Sequence, residues 1–201
     1  MNSEKLCELL VRLAGVIEEN KGYLTRLDAE IGDADHGVNM ARGFAQVKAD
    51  CEGYAALPCG DILFSVGKSL IRVVGGSAGP LYGSFFKVIG KTVGQGDIDF
   101  PLFLEGYEKG IEKIMALGGA KEGEKTMLDA MCPALRVLQA EGEGAFARAA
   151  AAAEEAAEHT KDYIATKGRA SYVGERSLGH MDPGACSFSL LLRALADFLN
   201  R

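Results

Sequence analysis

The sequence predicts an all-α fold, with eight helices packed as an antiparallel up-and-down bundle or barrel. Three observations predict it. Apolar residues recur at three- and four-residue spacing along most of the chain. No run alternates apolar and polar residues convincingly; the β-branched stretch Ile71-Arg72-Val73-Val74 does not. The segments between the periodic stretches are short and glycine-rich, which favours antiparallel neighbours.

The first helix is marked by the stripe Leu6, Leu9, Leu10, Leu13, Val16 and Ile17. Further helices are expected over 37–51, 60–74, 80–93, 98–117, 126–140, 144–166 and 184–200. The seventh contains the alanine-rich run Ala145 to Ala157. Alanine is the best helix former and the run lacks Gly and Pro, so it reads as a closely packed helix and not as a linker. No shift in composition divides the chain, and 201 residues suffice to bury a core, so residues 1–201 are expected to form a single domain.

The formal net charge of -6 argues against nucleic acid and against an anionic membrane surface as partners. No stretch approaches the roughly 18 apolar residues of a membrane span, and the N-terminus carries Glu4 and Glu8 without the apolar run of a signal peptide. Cys7, Cys51, Cys59, Cys132 and Cys186 are odd in number and lack C-x-x-C spacing, which speaks against a disulfide framework or a cysteine zinc site. A cytoplasmic location is expected.

Four loops concentrate glycine and polar residues: 32–37, 75–80, the segment ending in Gly123-Glu124-Lys125-Thr126, and 179–184. Each precedes an even-numbered helix. In an up-and-down bundle those four helix N-termini share one end, and their free N–H groups and dipoles suit anions. That end is a candidate phosphate site. No Walker A loop supplies one instead: Gly67-Lys68-Ser69 has Ile62, and Gly90-Lys91-Thr92 has Phe85, where the motif needs glycine.

Asp28, Asp33 and Asp35 fall within eight residues. Clustered carboxylates repel unless a cation joins them, and hard oxygen ligands suit Mg2+ or Ca2+. The spacing alone also allows a plain alternative, in which Asp35 caps the second helix and Asp33 is solvated. His36 is placed to position a phosphate or act as a general base, or else to bond its own loop backbone. Ser77 and Ala78 offer amides beside Gly75 and Gly76, while Pro80 suits a first helical turn. Thr126 is a candidate N-cap of the sixth helix, with Asp129 in its first turn. Arg169 and Arg176 lie in a polar stretch and are either phosphate clamps or surface ion pairs. Asp182-Pro183 reads as an N-cap followed by Pro at the first helical position.

Taken in order, five strings resemble one family, the nucleotide-binding L subunit of bacterial phosphoenolpyruvate-dependent dihydroxyacetone kinase. They are Leu24 to Asp28, Ile31 to Met40, Gly75 to Gly83, Lys125 to Ala130 and Gly168 to Ala185. The resemblance implies a helical barrel with a nucleotide site at one end. It implies that Asp28, Asp33 and Asp35 hold Mg2+, with carboxylates enough for two ions, against the phosphates of ADP or ATP. It implies that His36, Gly37, Val38, Asn39, Ser77, Ala78, Gly118, Met127, Arg169, Asp182, Pro183 and Gly184 line the nucleotide. In that family the nucleotide stays bound as a coenzyme: a phosphohistidine on an M subunit recharges it, and dihydroxyacetone on a K subunit receives the phosphoryl group. The length fits the version with separate subunits.

Two positions depart from the family pattern. Ala34 stands where the acidic loop has glycine, a strain of roughly 1 kcal/mol if that residue needs positive φ. Ala78 stands where Ser or Thr is frequent. Three other readings share the same motifs: an L-like subunit serving another small ketose or a fatty-acid-binding partner, a non-catalytic nucleotide-binding module that docks on a transcription regulator, and a Mg-dependent phosphohydrolase. A homodimer is compatible with each.

Overall fold

The computed structural model describes residues 1–54 and 56–200. Eight α-helices carry the architecture: α1 (Ser3–Ile31), α2 (His36–Asp50), α3 (Cys59–Val73), α4 (Ala78–Val93), α5 (Phe100–Gly118), α6 (Leu128–Glu141), α7 (Phe146–His159) and α8 (Pro183–Leu199). Each helix packs on the next in the chain, and α8 returns to α1 and closes the ring. Among the described residues there is no strand, and no helix is long and apolar enough to cross a membrane.

Local chemistry sets the helix ends. Asn2 caps α1 by accepting the amide of Lys5 at 3.0 Å. Asp99 caps α5 through the amide of Leu102 at 2.9 Å, and α5 stops where Gly119 takes the left-handed conformation at φ 57°. Asp182 caps α8 as expected, accepting the amide of Ala185 at 2.7 Å with Pro183 in the first turn.

The ring interior is apolar. Phe85 of α4, Tyr107 of α5 and Phe188 of α8 meet edge to face with centroids 5.4–6.1 Å apart. On one side of the ring the backbones themselves touch. A Cβ on Gly67 of α3 would lie 2.4 Å from the carbonyl oxygen of Gly83, and one on Gly90 of α4 would lie 2.5 Å from that of Gly60. Only glycine permits that approach.

Helix α1, whose end the sequence reading left open, runs on to Ile31, so Asp28 is a helical residue in its last turns. Two other boundaries differ from the sequence reading. Helix α6 starts at Leu128 with Met127 at the N-cap position, not Thr126. Thr126 still satisfies an early amide, since its Oγ1 accepts from Leu128 at 3.2 Å. Helix α7 stops at His159 instead of 166 and tightens into a 3-10 turn over Thr160–Asp162. Thr160 Oγ1 donates back to Ala157 O at 2.6 Å and accepts the amide of Asp182 at 2.8 Å, which turns the chain toward α8. A 3-10 segment over Arg169–Ser177, broken at Gly174, completes the crossing.

Candidate functional site

The loops before α2, α4, α6 and α8 meet at one end of the ring, around a cavity of about 150 Å3. All four loops expected from the sequence contribute to its wall. Asp28, Asp33, Asp35, His36, Asn39, Ser77, Ala78, Met127, Arg169, Asp182, Pro183 and Gly184 line it.

Three expected residues stand outside the lining. Gly37 packs against α1, where a Cβ would lie 2.1 Å from Lys21 O; its role there is to let α1 and α2 approach. Val38 is 43% exposed on α2, and Gly118 is exposed at the end of α5.

Asp28, Asp33 and Asp35 each offer a carboxylate oxygen, and these atoms lie within 4.8 Å of one another. Asp28 is buried, Asp33 exposed and Asp35 intermediate. Asp28 Oδ2 accepts the backbone amides of Asp35 at 2.8 Å and His36 at 3.1 Å. Asp35 occupies the N-cap position of α2, yet its side chain makes no capping bond. The helix is therefore capped from α1, and the Asp35 carboxylate is left for another partner. Hard oxygen donors at this separation, partly open to solvent, fit a hydrated divalent ion such as Mg2+. Ala34, between the two loop aspartates, has φ 60°, the left-handed conformation its family position suggested.

Arg169 reaches the same cluster, with its guanidinium 2.8 Å from Asp33 Oδ2. Asn39 is held by Arg42, which donates to Asn39 Oδ1 at 2.7 Å and to Val73 O at 3.0 Å, tying α2 to the end of α3.

Lys125, which the sequence reading did not place among the site residues, also lines the cavity. Lys125 is 1% exposed and has φ 61°. Its ammonium donates to the carbonyls of Tyr163 and Ser177 and so holds the Arg169–Ser177 segment against the loop before α6. Burial lowers its pKa, while the charges of Asp182 and Asp162 oppose that shift. Asp129 fastens the same joint by accepting Gly123 N and Thr126 N at 2.6 Å and Tyr163 Oη at 2.8 Å. Asp182 is buried, and burial together with the charge of Asp129 pushes its pKa up to about 7, against the Ala185 amide and Lys125. The pKa of His36 is lowered by burial, opposed by Asp28 and Asp35.

The arrangement combines a carboxylate cluster for a cation, helix N-termini for anionic oxygens, an arginine at the rim and apolar walls at Ile31, Leu81 and Met127. That chemistry matches a metal-bound phosphate ester with an apolar group attached.

Comparison with known proteins agrees. Residues 30–197 match the DAK2 domain model. The chain is 41% identical over 179 residues to the ADP-binding subunit DhaL of PEP-dependent dihydroxyacetone kinase 1 from Listeria innocua, covering 89% of this chain and 88% of that one. It is 37% identical over 203 residues to the corresponding Escherichia coli subunit, covering 98% and 97%. The crystal structure of the dihydroxyacetone kinase from C. freundii in complex with AMP-PNP and Mg2+ superposes with a TM-score of 0.79 at 29% identity, covering 95% of this chain and 33% of that one. The chain belongs to the DAK2 domain family.

Proposed function

We propose that this chain is the ADP-binding subunit of a phosphoenolpyruvate-dependent dihydroxyacetone kinase. In this reading it is a cytoplasmic phosphotransferase component that acts with partner subunits and functions as one helical domain over residues 1–201. A phosphohistidine-bearing M subunit recharges the resident nucleotide, and a K subunit presents dihydroxyacetone. The observation that carries the reading is the meeting of Asp28, Asp33 and Asp35 with the N-termini of α2, α4, α6 and α8 in one cavity, in a chain 41% identical to a DhaL subunit.

Phosphoryl transfer demands positioning and charge neutralisation more than covalent chemistry from the protein. Asp28, Asp33 and Asp35 would hold Mg2+, which when bound neutralises phosphate charge. Asp28 keeps its orientation through the amides of Asp35 and His36. Ser77 and Ala78, at the start of α4, line the same space, and free amides of a helix N-terminus suit phosphate oxygens. Arg169 exchanges Asp33 for a phosphate oxygen. Met127, Pro183 and Gly184 form an apolar wall suited to a base. Gly37 serves the site through its frame, by letting α1 and α2 approach.

The test is reconstitution. Purified chain, a K subunit and catalytic ADP, charged through the M subunit, should form dihydroxyacetone phosphate. A requirement for all three proteins supports the reading. Transfer to a different ketose only would move the assignment to another acceptor. Nucleotide binding without transfer would make the chain a regulator, and ATP turnover by the chain alone would make it a hydrolase.

A further inference from the structure

Beneath His36 lies a chain of buried hydroxyls that the metal and nucleotide contacts leave unexplained. His36 Nε2 is 2.9 Å from Ser187 Oγ, and Ser187 Oγ is 2.7 Å from Tyr82 Oη. Three helices are joined in this way: α2 through His36, α8 through Ser187 and α4 through Tyr82. Ser187 is 0% exposed and Tyr82 1%. Among the described residues the Nδ1 atom of His36 has no hydrogen-bond partner, while the residue lines the cavity.

Proton accounting gives this chain a direction. Burial raises the pKa of Tyr82, so its phenol keeps its proton. That proton has two oxygens in reach, Ser187 Oγ at 2.7 Å and Gly184 O at 3.5 Å. Only the first is at normal O–H···O distance, and a buried donor left unmade costs about 1–3 kcal/mol. Tyr82 therefore donates to Ser187. The Ser187 proton then goes either to Gly184 O at 3.1 Å or to His36 Nε2 at 2.9 Å. Gly184 O lies in the first turn of α8 and already accepts a helical amide. If Ser187 donated there, His36 would carry its proton on Nε2 and turn a bare Nδ1 lone pair toward a cavity that already holds Asp28, Asp33, Asp35 and Asp182.

We infer that Tyr82 and Ser187 are positioning residues that fix His36 as the Nδ1–H tautomer, presenting an N–H donor to an anionic oxygen of the bound phosphate ester. The order is Tyr82 Oη–H to Ser187 Oγ, Ser187 Oγ–H to His36 Nε2, and His36 Nδ1–H to the ligand. This rests on the nucleotide reading of the cavity for the identity of the ligand, though not for the tautomer.

The tautomer is read directly by long-range nitrogen–proton correlation NMR on uniformly 15N-labelled full-length protein, free and with Mg-ADP. The three histidines are distinguished by loss of the His36 signals in His36→Gln. The expected result is a protonated Nδ1 and an unprotonated Nε2 in both states. Ser187→Ala should release the ring toward the Nε2–H form and weaken Mg-ADP binding roughly three- to tenfold, while Ser187→Thr, which keeps the hydroxyl, restores the wild-type pattern. An Nε2–H ring in wild-type protein overturns the inference, as does an unchanged tautomer in folded Ser187→Ala. If Ser187→Ala fails to fold, the wild-type and Ser187→Thr spectra decide. Failure of wild-type protein to bind Mg-ADP in calorimetry would remove the nucleotide reading but leave the tautomer tested in the free protein.

Discussion

Asp28, in the last turns of α1, accepts the backbone amide of His36 in the first turn of α2 at 3.1 Å. One carboxylate thus caps α2, the task the sequence suggests for Asp35, and it stays within ligand distance of Asp33 and Asp35, where we propose that its second job is to hold the ion.

Asparagine separates the two jobs. Asp28→Asn keeps an oxygen to accept the amides but removes the charge that a divalent ion requires. The melting temperature should fall by only a few degrees, consistent with about 1 kcal/mol, whereas Mg2+-dependent ADP binding should weaken at least tenfold. Calorimetry with and without Mg2+ checks it. Equal binding by the variant would leave Asp28 with the capping role alone.

Ala34 sits at φ 60° with a side chain that the conformation penalises. Ala34→Gly should raise stability by about 0.5–1 kcal/mol after the extra entropy of glycine is counted, or roughly 2–4 °C in melting temperature. Lys125, at φ 61°, is a different case, because its ammonium holds two carbonyls.

The α3–α4 contact and the middle of α1 give opposite expectations for the same substitution. Gly67→Ala or Gly90→Ala drives a methyl into backbone at 2.4–2.5 Å and should destabilise by about 1–3 kcal/mol or more. Gly15→Ala, in α1, meets nothing within 4 Å and should stabilise by up to about 1 kcal/mol. Denaturant titration of the three variants resolves both signs.

Asp182 gives stability a pH dependence. Its carboxyl moves from 3.8 to about 7 on folding, so the folded state holds the proton more tightly. The stability gained is complete below about pH 4 and is lost as pH rises through 7. In Asp182→Asn, which can still accept the Ala185 amide, that contribution is absent. Between pH 5 and pH 8 the wild type should lose on the order of 2–3 kcal/mol relative to the variant, visible as converging or crossing melting temperatures. A constant difference would show that Asp182 titrates normally.

Much of this was legible in the sequence, because it depends on local signals. Helical periodicity locates all eight helices, and Asp182-Pro183 marks the start of α8. The glycine-rich loops find the end of the ring where the cavity opens. What was not legible depends on distant partners. The burial of Lys125 is not visible in the sequence, since the carbonyls that hold its ammonium lie 38 and 52 residues away. Tyr82 and Ser187, 105 residues apart, read as ordinary helix positions. The early stop of α7 depends on the Thr160 contact with Asp182, again across a turn that periodicity does not see. Gly37 lies within a motif that suggested ligand contact, but its lack of a side chain serves the α1–α2 approach.

The most direct test of the account is native mass spectrometry of freshly purified protein before and after EDTA. The account predicts added mass for ADP with Mg2+ that survives purification, leaves with EDTA, returns with Mg-ADP, and fails to return in Asp33→Asn. Protein that stays free of nucleotide in the presence of Mg-ADP would contradict it and leave Asp28, Asp33 and Asp35 as a capping and surface cluster.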